Sequence, residues 1–283
     1  MIHYINYNGK ILAENEPIVT AQNRGLRYGD GIFETIKLKN GKLILSNEHF
    51  ARLWKGMQML QFDIQKLLSP EKLETEILQL SIKNKLAAAR IRLTIIRSDG
   101  GIYDAKNNTP NYIIEAIALP EDNGKLNSNG LQLCIFKEAK KSLDAFSNLK
   151  TNNYLPYFMG AIFAKKEQCN DALILNSEGN ICDSTIANIF YIKDQAIHTP
   201  SLAQGCVAGV MRNFLINKIQ AMGYIVHQSV VTKEDLLNAD EVFLSNSIYN
   251  VRWVAALENK SYTNNIIRKI VEELIKKEEG VFC

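Results

Sequence analysis

The sequence predicts a protein of mixed α and β structure that folds as two domains. The chain has 283 residues, which at roughly 150 residues a domain corresponds to about two domains. Its composition, 46% hydrophobic and 22% charged, is ordinary for globular proteins and excludes a disordered chain or a disulfide-dense miniprotein. Runs of strands and helices without a regular βαβ alternation are typical of the α+β class, while an α/β arrangement stays open for the chain as a whole.

The first 119 residues are expected to form an N-terminal α+β domain. Its predicted strands lie at 2–7, 32–38, 91–96 and 112–119. A glycine-rich turn at 28–31 precedes the second strand, and Ser46 or Asn47 is expected to cap a helix after it. Ser69 and the proline after it start a second helix. Each helix has one apolar face, formed by Phe50, Leu53, Met57 and Leu60 in the first and by Leu73, Ile77 and Leu80 in the second.

The segment 120–130 is the predicted linker, because it concentrates Pro, Gly, Asn and Ser between two apolar strands. The remaining residues, 131–283, are expected to form a C-terminal domain. Its predicted strands lie at 131–136, 172–175, 187–192 and 241–245, and its predicted helices at 155–166, 210–221 and 264–277.

Charge and cysteine usage exclude several classes of protein. The formal net charge is only +3, from 33 basic and 30 acidic side chains, so neither nucleic acid nor a membrane surface is an expected partner. No apolar run reaches the 18 residues of a membrane span, and no signal pattern opens the chain. Five cysteines without a CxxC pair and four scattered histidines predict reduced thiols, a cytoplasmic location and no metal site.

Two basic residues and one turn could carry chemistry, although each is ambiguous alone. Lys150 lies between a strand-like segment and a helix, where most lysines are solvated, but a free amine there could form a Schiff base with a carbonyl. Asp30 lies between Gly29 and Gly31, whose permissive dihedral angles suit a tight bend. Arg52 could bind a phosphate group with its guanidinium if it points inward from its helix.

Two segments of the C-terminal half are more informative. A polar, glycine-bearing loop at 199–209 runs directly into a helix, and the exposed amides at such a helix start suit an anion. This is not a P-loop, since the chain contains no GxxxxGK[ST] motif. Asp183 lies just before an apolar strand, where a buried carboxylate needs a cationic partner, and a protonated pyridine nitrogen would be one.

The order of these pieces resembles the class IV aminotransferases, the pyridoxal-phosphate enzymes of fold type IV. The resemblance covers nearly the whole chain and rests on five segments: YGDGIFET at 28–35, HFARL at 49–53, NLKTNNYL at 148–155, GNICDSTIANIF at 179–190 and TPSLAQGCVAGVMR at 199–212. The family includes branched-chain aminotransferases, D-amino acid transaminases and 4-amino-4-deoxychorismate lyases. The resemblance implies two domains with the cofactor in the cleft between them, and a homodimer.

The resemblance also implies a role for each matching residue. Lys150 would hold the cofactor covalently and move a proton at the substrate's α-carbon. The other implied cofactor ligands are Arg52 and the amides of Val210 and Met211 after Gly209 on the phosphate, Thr185 near the phosphate or ring, and Tyr154 on the phenolic oxygen. Asp183 stands where the family usually has glutamate against the pyridine nitrogen, so either the backbone shifts or a water bridges the gap. Asn188 matches the family's asparagine before the strand.

The reaction itself is less closely defined, because one such site supports both transamination and lyase chemistry. The segments 97–103, 209–212 and 244–248 look more like aminodeoxychorismate lyases, which form 4-aminobenzoate and pyruvate. However, Ile102 stands where the lyase pattern has arginine, and Ile102 and Asp104 replace the Arg-x-His of D-amino acid transaminases. On the likeness of the three segments we predict a lyase. The alternative is an aminotransferase for branched-chain L- or D-amino acids, and a non-catalytic pyridoxal-phosphate carrier is a minor alternative. The candidate substrate-binding residues are Phe33, Arg27, Arg92, Arg97 and Ser247, although any of the arginines could instead be a surface residue.

Overall fold

The computed structural model describes residues 3–102, 104–120 and 123–282, and the chain divides into two compact units. The first unit comprises Met1–Asn123 and Lys150–Asn153, and the second comprises Gly124–Leu149 and Tyr154–Cys283. The change of unit after Asn123 falls within the segment 120–130. The return of four residues to the first unit at Lys150 is not foreseen from the sequence. That the two units are independent domains stays a prediction.

The first unit combines an antiparallel sheet with helices. In chain order it contains β1 (Tyr4–Tyr7), β2 (Lys10–Ala13), α1 (Arg24–Tyr28), β3 (Gly31–Lys39), β4 (Lys42–Leu43), α2 (Ser46–Met59), α3 (Pro70–Lys83), β5 (Ala88–Arg97) and β6 (Pro110–Ala118). Across the described residues the sheet has six strands in the order β2-β1-β6-β5-β3-β4. Every neighbouring pair in it is antiparallel. Position 2, the predicted start of the first strand, lies outside the described residues.

Helices α2 and α3 supply the apolar layer of this unit. The predicted faces are confirmed, since Phe50, Leu53 and Met57 of α2 share one buried cluster with the apolar residues of α3. Ser69 caps α3, because its Oγ accepts a hydrogen bond of 3.2 Å from the Lys72 amide. The predicted cap of α2 by Ser46 or Asn47 is wrong. Leu45 adopts a left-handed conformation (φ 54°) and starts the helix one residue earlier, without a side-chain cap.

The glycine-rich turn ends a short helix that the sequence does not predict. Gly29 follows α1 in the left-handed region at φ 66° and closes the helix. Gly31 is already the first residue of β3, where a Cβ atom would collide with the backbone oxygen of Ile95. Asp30 between them accepts hydrogen bonds from the Nε atoms of Arg24 (2.8 Å) and Arg97 (3.0 Å), so the turn is held by two cations.

The second unit is built on a larger mixed sheet. In chain order it contains β7 (Leu131–Lys141), α4 (Leu155–Lys166), β8 (Asp171–Asn176), β9 (Ile181–Ser184), β10 (Asn188–Lys193), β11 (Ala196–Pro200), a 3₁₀ turn (Leu202–Gln204), α5 (Val210–Ala221), β12 (Val226–Ser229), α6 (Lys233–Leu237), β13 (Glu241–Asn246), β14 (Asn250–Leu257), β15 (Lys260–Ser261), α7 (Asn265–Lys277) and α8 (Glu279–Phe282). The strand order is β12-β11-β10-β13-β14-β7-β8-β9, with β15 paired to β14.

Strand β7 lies inside this sheet, because it pairs in parallel with both β14 and β8. The sequence predicts this strand only to residue 136, but it continues to Lys141 across a shift of register between Phe136 and Lys140. Helix α4 packs against β7 and β8. No helix in the described part of the chain is long and apolar enough to cross a membrane.

Candidate active site

Lys150 is fixed in the first unit by an extra strand-like pairing. The Phe33 amide donates to the Lys150 carbonyl oxygen (2.9 Å), and the Asn152 amide donates to the Gly31 carbonyl oxygen (2.9 Å). The segment thus runs beside β3, with an antiparallel bridge between Ile32 and Thr151. The Lys150 Nζ atom lies 4.4 Å from the centroid of the Phe33 ring. Backbone and side chain of this lysine are therefore both held against one aromatic residue.

Arg92 uses the same aromatic ring. Its guanidinium carbon lies 3.9 Å from the Phe33 centroid, within the range of cation–π attraction. Its Nε atom is 3.9 Å from Glu115 Oε2, and the two side chains are partly exposed, at 35% and 44%. Of the predicted substrate-binding residues, the structure thus brings Phe33 and Arg92 together with Lys150.

The structure shows other contacts or positions for the remaining predicted substrate-binding residues. Arg97 is buried, and besides Asp30 its guanidinium donates to the Leu60 carbonyl oxygen (2.7 Å) and to Asn108 Oδ1 (2.9 Å). Arg27 is exposed, and its Nε atom donates to the Ala21 carbonyl oxygen (2.8 Å). Ser247 is half-buried in the turn between β13 and β14 of the second unit. Roles for these three in substrate binding stay predictions.

Arg52 belongs to a buried cluster with Glu34 and His49. Its Nε atom donates to Glu34 Oε1 (2.7 Å) and its Nη2 atom to Glu34 Oε2 (2.6 Å), and His49 Nδ1 lies 2.6 Å from Oε2. Burial alone would raise the pKa of Glu34, but the charges and hydrogen bonds of Arg52 and His49 outweigh it and lower this pKa to about 2. The pair fixes the guanidinium in one orientation, and its role as a phosphate ligand stays a prediction.

Asp183, in β9, is the buried carboxylate of the second unit. Its Oδ2 atom accepts from Lys141 Nζ (3.2 Å), Tyr157 Oη (2.7 Å) and the Val207 amide (3.0 Å), and its Oδ1 atom accepts from Asn188 Nδ2 (2.9 Å). Burial raises the pKa of Asp183, and the Lys141 charge opposes that rise only in part. The cationic partner expected for this acid is therefore present within the chain.

The remaining predicted ring contacts lie beside this acid. Tyr154 stacks on Tyr157 with ring centroids 4.4 Å apart, and its hydroxyl donates to the Thr185 carbonyl oxygen (2.9 Å). The Thr185 hydroxyl donates to Asp171 Oδ1 (2.6 Å), which also accepts from the Thr185 amide (3.2 Å). Both residues are thus part of the packed shell around Asp183, and their direct contact with a cofactor stays a prediction.

The start of α5 offers an anion site next to the same shell. Gly209 precedes the helix without a side-chain cap, and no acidic residue lies in the first turn, so the first amides remain available to an anion. A Cβ atom at Gly209 would collide with Asn188 Oδ1. Asn188 Nδ2 in turn bridges Asp183 Oδ1 and the Val207 carbonyl oxygen, both at 2.9 Å. Acid and helix start are therefore linked through one amide side chain.

The chain belongs to the class IV amino-transferase family, whose model matches residues 31–257. The aminodeoxychorismate lyase of Vibrio harveyi is 30% identical over 243 residues, which cover 84% of this chain and 88% of the lyase. The branched-chain aminotransferase of Escherichia coli superposes with a TM-score of 0.87 over the whole chain and 95% of that structure, at 22% identity. A T.th. branched-chain aminotransferase with pyridoxamine 5'-phosphate gives a TM-score of 0.80, 22% identity, and coverage of 92% of this chain and 87% of that structure.

These comparisons confirm the predicted family and the predicted fold. They also confirm the predicted class of enzyme, because the class IV family consists of pyridoxal-phosphate enzymes. The residues of this chain suit that cofactor. A buried carboxylate that carries one hydrogen bond on Oδ1 matches a protonated ring nitrogen, and an uncapped helix start matches a phosphate group. The homodimer and the cytoplasmic location stay predictions.

Proposed function

We propose that this protein is a pyridoxal-phosphate lyase that converts 4-amino-4-deoxychorismate to 4-aminobenzoate and pyruvate. One observation carries the catalytic part of the proposal: the Lys150 amine and the Arg92 guanidinium both lie against the Phe33 ring. An amine able to bind a carbonyl carbon and a cation able to bind a carboxylate are the two groups that amino acid chemistry on this cofactor requires.

Each cofactor-binding residue has a proposed task. Lys150 binds the cofactor covalently, and the Asp183 carboxylate accepts a hydrogen bond from the protonated nitrogen of its ring. The phosphate is bound by the Val210 and Met211 amides and by Arg52, whose guanidinium Glu34 already orients. Tyr154 and Thr185 complete the contacts to the ring.

The chain's own residues then handle the substrate. When bound, the cofactor supplies a sink for the electron pair left at the carbon that bears the substrate amine. Arg92 binds a substrate carboxylate and so orients that carbon. Lys150 Nζ, once released, removes the proton from it and can return the proton to the leaving group. In the alternative outcome, transamination, the same amine moves the proton without loss of a substituent.

The lyase is supported by the Vibrio harveyi enzyme, which is 30% identical over 84% of this chain. A putative branched-chain aminotransferase of Methanocaldococcus jannaschii is 28% identical over 96% of this chain, so identity alone does not separate the two activities. The second candidate is an amino acid aminotransferase. It is supported by the Escherichia coli branched-chain enzyme, which is 24% identical over 266 residues and covers 90% of this chain. The substrate pocket of this chain decides between them.

A substrate panel on the purified, cofactor-loaded chain tests the proposal. We expect 4-aminobenzoate and pyruvate from aminodeoxychorismate, with a higher kcat/KM than for any branched-chain or D-amino acid supplied with 2-oxoglutarate. Lys150→Ala should abolish the reaction, and the exposed Lys140→Ala, which removes a charge elsewhere, should not. Turnover of amino acids without any turnover of aminodeoxychorismate would establish the aminotransferase instead. No turnover together with a bound cofactor would favour the non-catalytic carrier.

A further inference from the structure

The Asp183 carboxylate is held unequally at its two oxygens. Three donors converge on Oδ2, namely Lys141 Nζ, Tyr157 Oη and the Val207 amide, at 2.7 to 3.2 Å. Among the described residues, Oδ1 accepts only from Asn188 Nδ2, at 2.9 Å. Because a carboxylate oxygen has two lone pairs, Oδ1 is the oxygen with capacity for another donor.

Lys141 reaches this acid because of the irregularity in β7. The register between β7 and β8 shifts between Phe136 and Lys140, after which Lys141 pairs with Asn176. Such an irregularity re-aims the side chains that follow it. The Lys141 and Asp183 side chains are only 10% and 3% exposed, and Lys141 Nζ also lies 5.2 Å from the centroid of the Tyr157 ring. This is a buried ion pair with an aromatic wall, unlike the exposed pairs of the surface.

We propose that Lys141 is a positioning residue: its ammonium keeps the Asp183 carboxylate ionised and fixes Oδ2, so that Oδ1 is left to accept the N–H of a protonated pyridine ring. The contact between Oδ1 and the pyridine ring rests on the proposed function. The effect of Lys141 on the ionisation of Asp183 does not require the cofactor.

The other groups that face Asp183 do not supply this charge. They come from each element packed around it: Tyr157 from α4, Cys182 from β9, Cys206 from the loop before α5, and Arg212 from α5. Burial raises the pKa of the tyrosine and of both thiols, so all three stay neutral near pH 7. The Arg212 Nη2 atom donates instead to the Pro200 carbonyl oxygen (2.8 Å) and to Gln228 (2.9 Å). Lys141 is therefore the cation in direct contact with the acid.

Infrared difference spectroscopy of the full chain, without added pyridoxal phosphate, tests the ionisation. We expect Lys141→Gln, which keeps a donor but removes the charge, to show the protonated carboxyl band of Asp183 at a higher pH than wild type does. Lys141→Met should show the same band if it folds. The band should vanish in the double variant with Asp183→Asn, which assigns it to Asp183. Lys141→Arg should restore the ionised form, and Lys140→Gln, an exposed neighbour, should resemble wild type.

The size of the effect is measurable as a titration. Loss of the ion pair should lower the ratio of ionised to protonated Asp183 about tenfold or more at a given pH, equivalent to a change of about one pH unit in the midpoint. An Asp183 that stays ionised in folded Lys141→Gln over the same pH range as in wild type would overturn the proposal.

Absorption of the bound cofactor tests whether Lys141 positions Asp183 Oδ1 for the protonated pyridine ring. With pyridoxal phosphate added, Lys141→Gln should move the pH dependence of the near-visible band and slow exchange of the substrate α-proton, and Lys141→Arg should restore both. Normal spectra and exchange in Lys141→Gln would refute a positioning role. If borohydride labelling excluded Lys150 as the cofactor lysine, the proposed function would fail. The infrared result would still decide, independently, whether Lys141 keeps Asp183 ionised.

Discussion

Lys150 and Phe33 contact each other twice, through the backbone and through their side chains. The Phe33 amide donates to the Lys150 carbonyl oxygen at 2.9 Å, and the Lys150 Nζ atom lies 4.4 Å from the centroid of the Phe33 ring. The aromatic ring also faces Arg92 at 3.9 Å. A lysine fixed at both ends loses little further freedom when it reacts, which is how a scaffold pre-organises a reactive group.

Arg92 is expected to bind a substrate carboxylate. Arg92→Met should raise KM about ten- to a hundredfold while the cofactor stays bound, because charge-assisted hydrogen bonds contribute roughly 1.5–3 kcal/mol. Steady-state kinetics on the substrate identified by the panel provide the measurement. Arg90→Met is the matched control, since Arg90 is an exposed arginine of the same strand, β5. An unchanged KM in Arg92→Met would assign carboxylate binding away from Arg92.

Arg52 is expected to retain the cofactor rather than to take part in the chemistry. Arg52→Ala should weaken pyridoxal-phosphate binding by about ten- to a hundredfold, again from the loss of a charge-assisted contact to phosphate. Titration of the near-visible absorption gives the dissociation constant, and Arg90→Ala, which removes an exposed arginine of β5, serves as control. An unchanged dissociation constant in Arg52→Ala would remove this residue from the phosphate site.

The ionised Glu34 carboxylate stabilises the folded protein, and this stabilisation is lost in acid. Its pKa is about 2 in the folded protein, against an ordinary 4.5, so the unfolded chain takes up the proton first as the pH falls. The stabilisation, about 3 kcal/mol, is present above pH 4.5 and is lost as the pH falls towards 2. Urea unfolding between these pH values should therefore show a flatter pH dependence for Glu34→Gln than for wild type.

The exposed Glu48 of α2 provides the control for this experiment, because Glu48→Gln changes the same charge on a helix of the same unit. Its unfolding free energy should follow the wild-type pH dependence. Equal slopes for Glu34→Gln and wild type would contradict the stabilising role of the Glu34–Arg52–His49 cluster.

Helix α4 is expected to pack against a second copy of the chain. Its four exposed large apolar residues have the spacing of one helix face: Leu155, Phe158, Met159 and Ile162, at 64, 60, 39 and 48% exposure. The opposite side, including Tyr157, Gly160 and Ala164, is already buried within the unit. A helix that is apolar on all sides is normally covered on all sides.

Phe158→Glu should therefore convert a homodimer to a monomer in sedimentation or light-scattering measurements. Lys276→Glu, which adds a negative charge at an exposed position of α7, should leave the dimer intact. A monomeric wild type, or a Phe158→Glu variant that stays dimeric, would rule out this face as the interface.

The sequence predicts most of the long periodic elements, but it misses several short ones and the eight-residue strand β14. Helices α4 and α5 have the predicted bounds, because their apolar residues recur over three turns. Helix α1 has only five residues and no apolar period, so its Asn23 cap is the signal that could have revealed it. Lys141 escapes detection because β7 continues past residue 136 through the polar segment KEAKK, where no strand pattern remains.

Only some residues of the candidate site are predicted from the sequence. The proposed reactive lysine Lys150 and the acid Asp183 are predicted from ordered motifs, and Arg92 is predicted only as one of three candidate arginines. Their partners are not, because Glu34 with Arg52, or Lys141 with Asp183, meet only through tertiary packing. No sequence pattern indicates that Lys141 contacts Asp183, which lies 42 positions further along the chain.

The identity of the lysine that binds the cofactor is the most direct test of the proposed active site. The full chain is loaded with pyridoxal phosphate, reduced with borohydride, digested and mapped by mass spectrometry. We expect the pyridoxyl group on the peptide that contains Lys150, and no stable label at another lysine in Lys150→Ala. Labelling of Lys141, the buried lysine of the second unit, or of any lysine other than Lys150 in the wild-type chain would contradict the assignment of the active site.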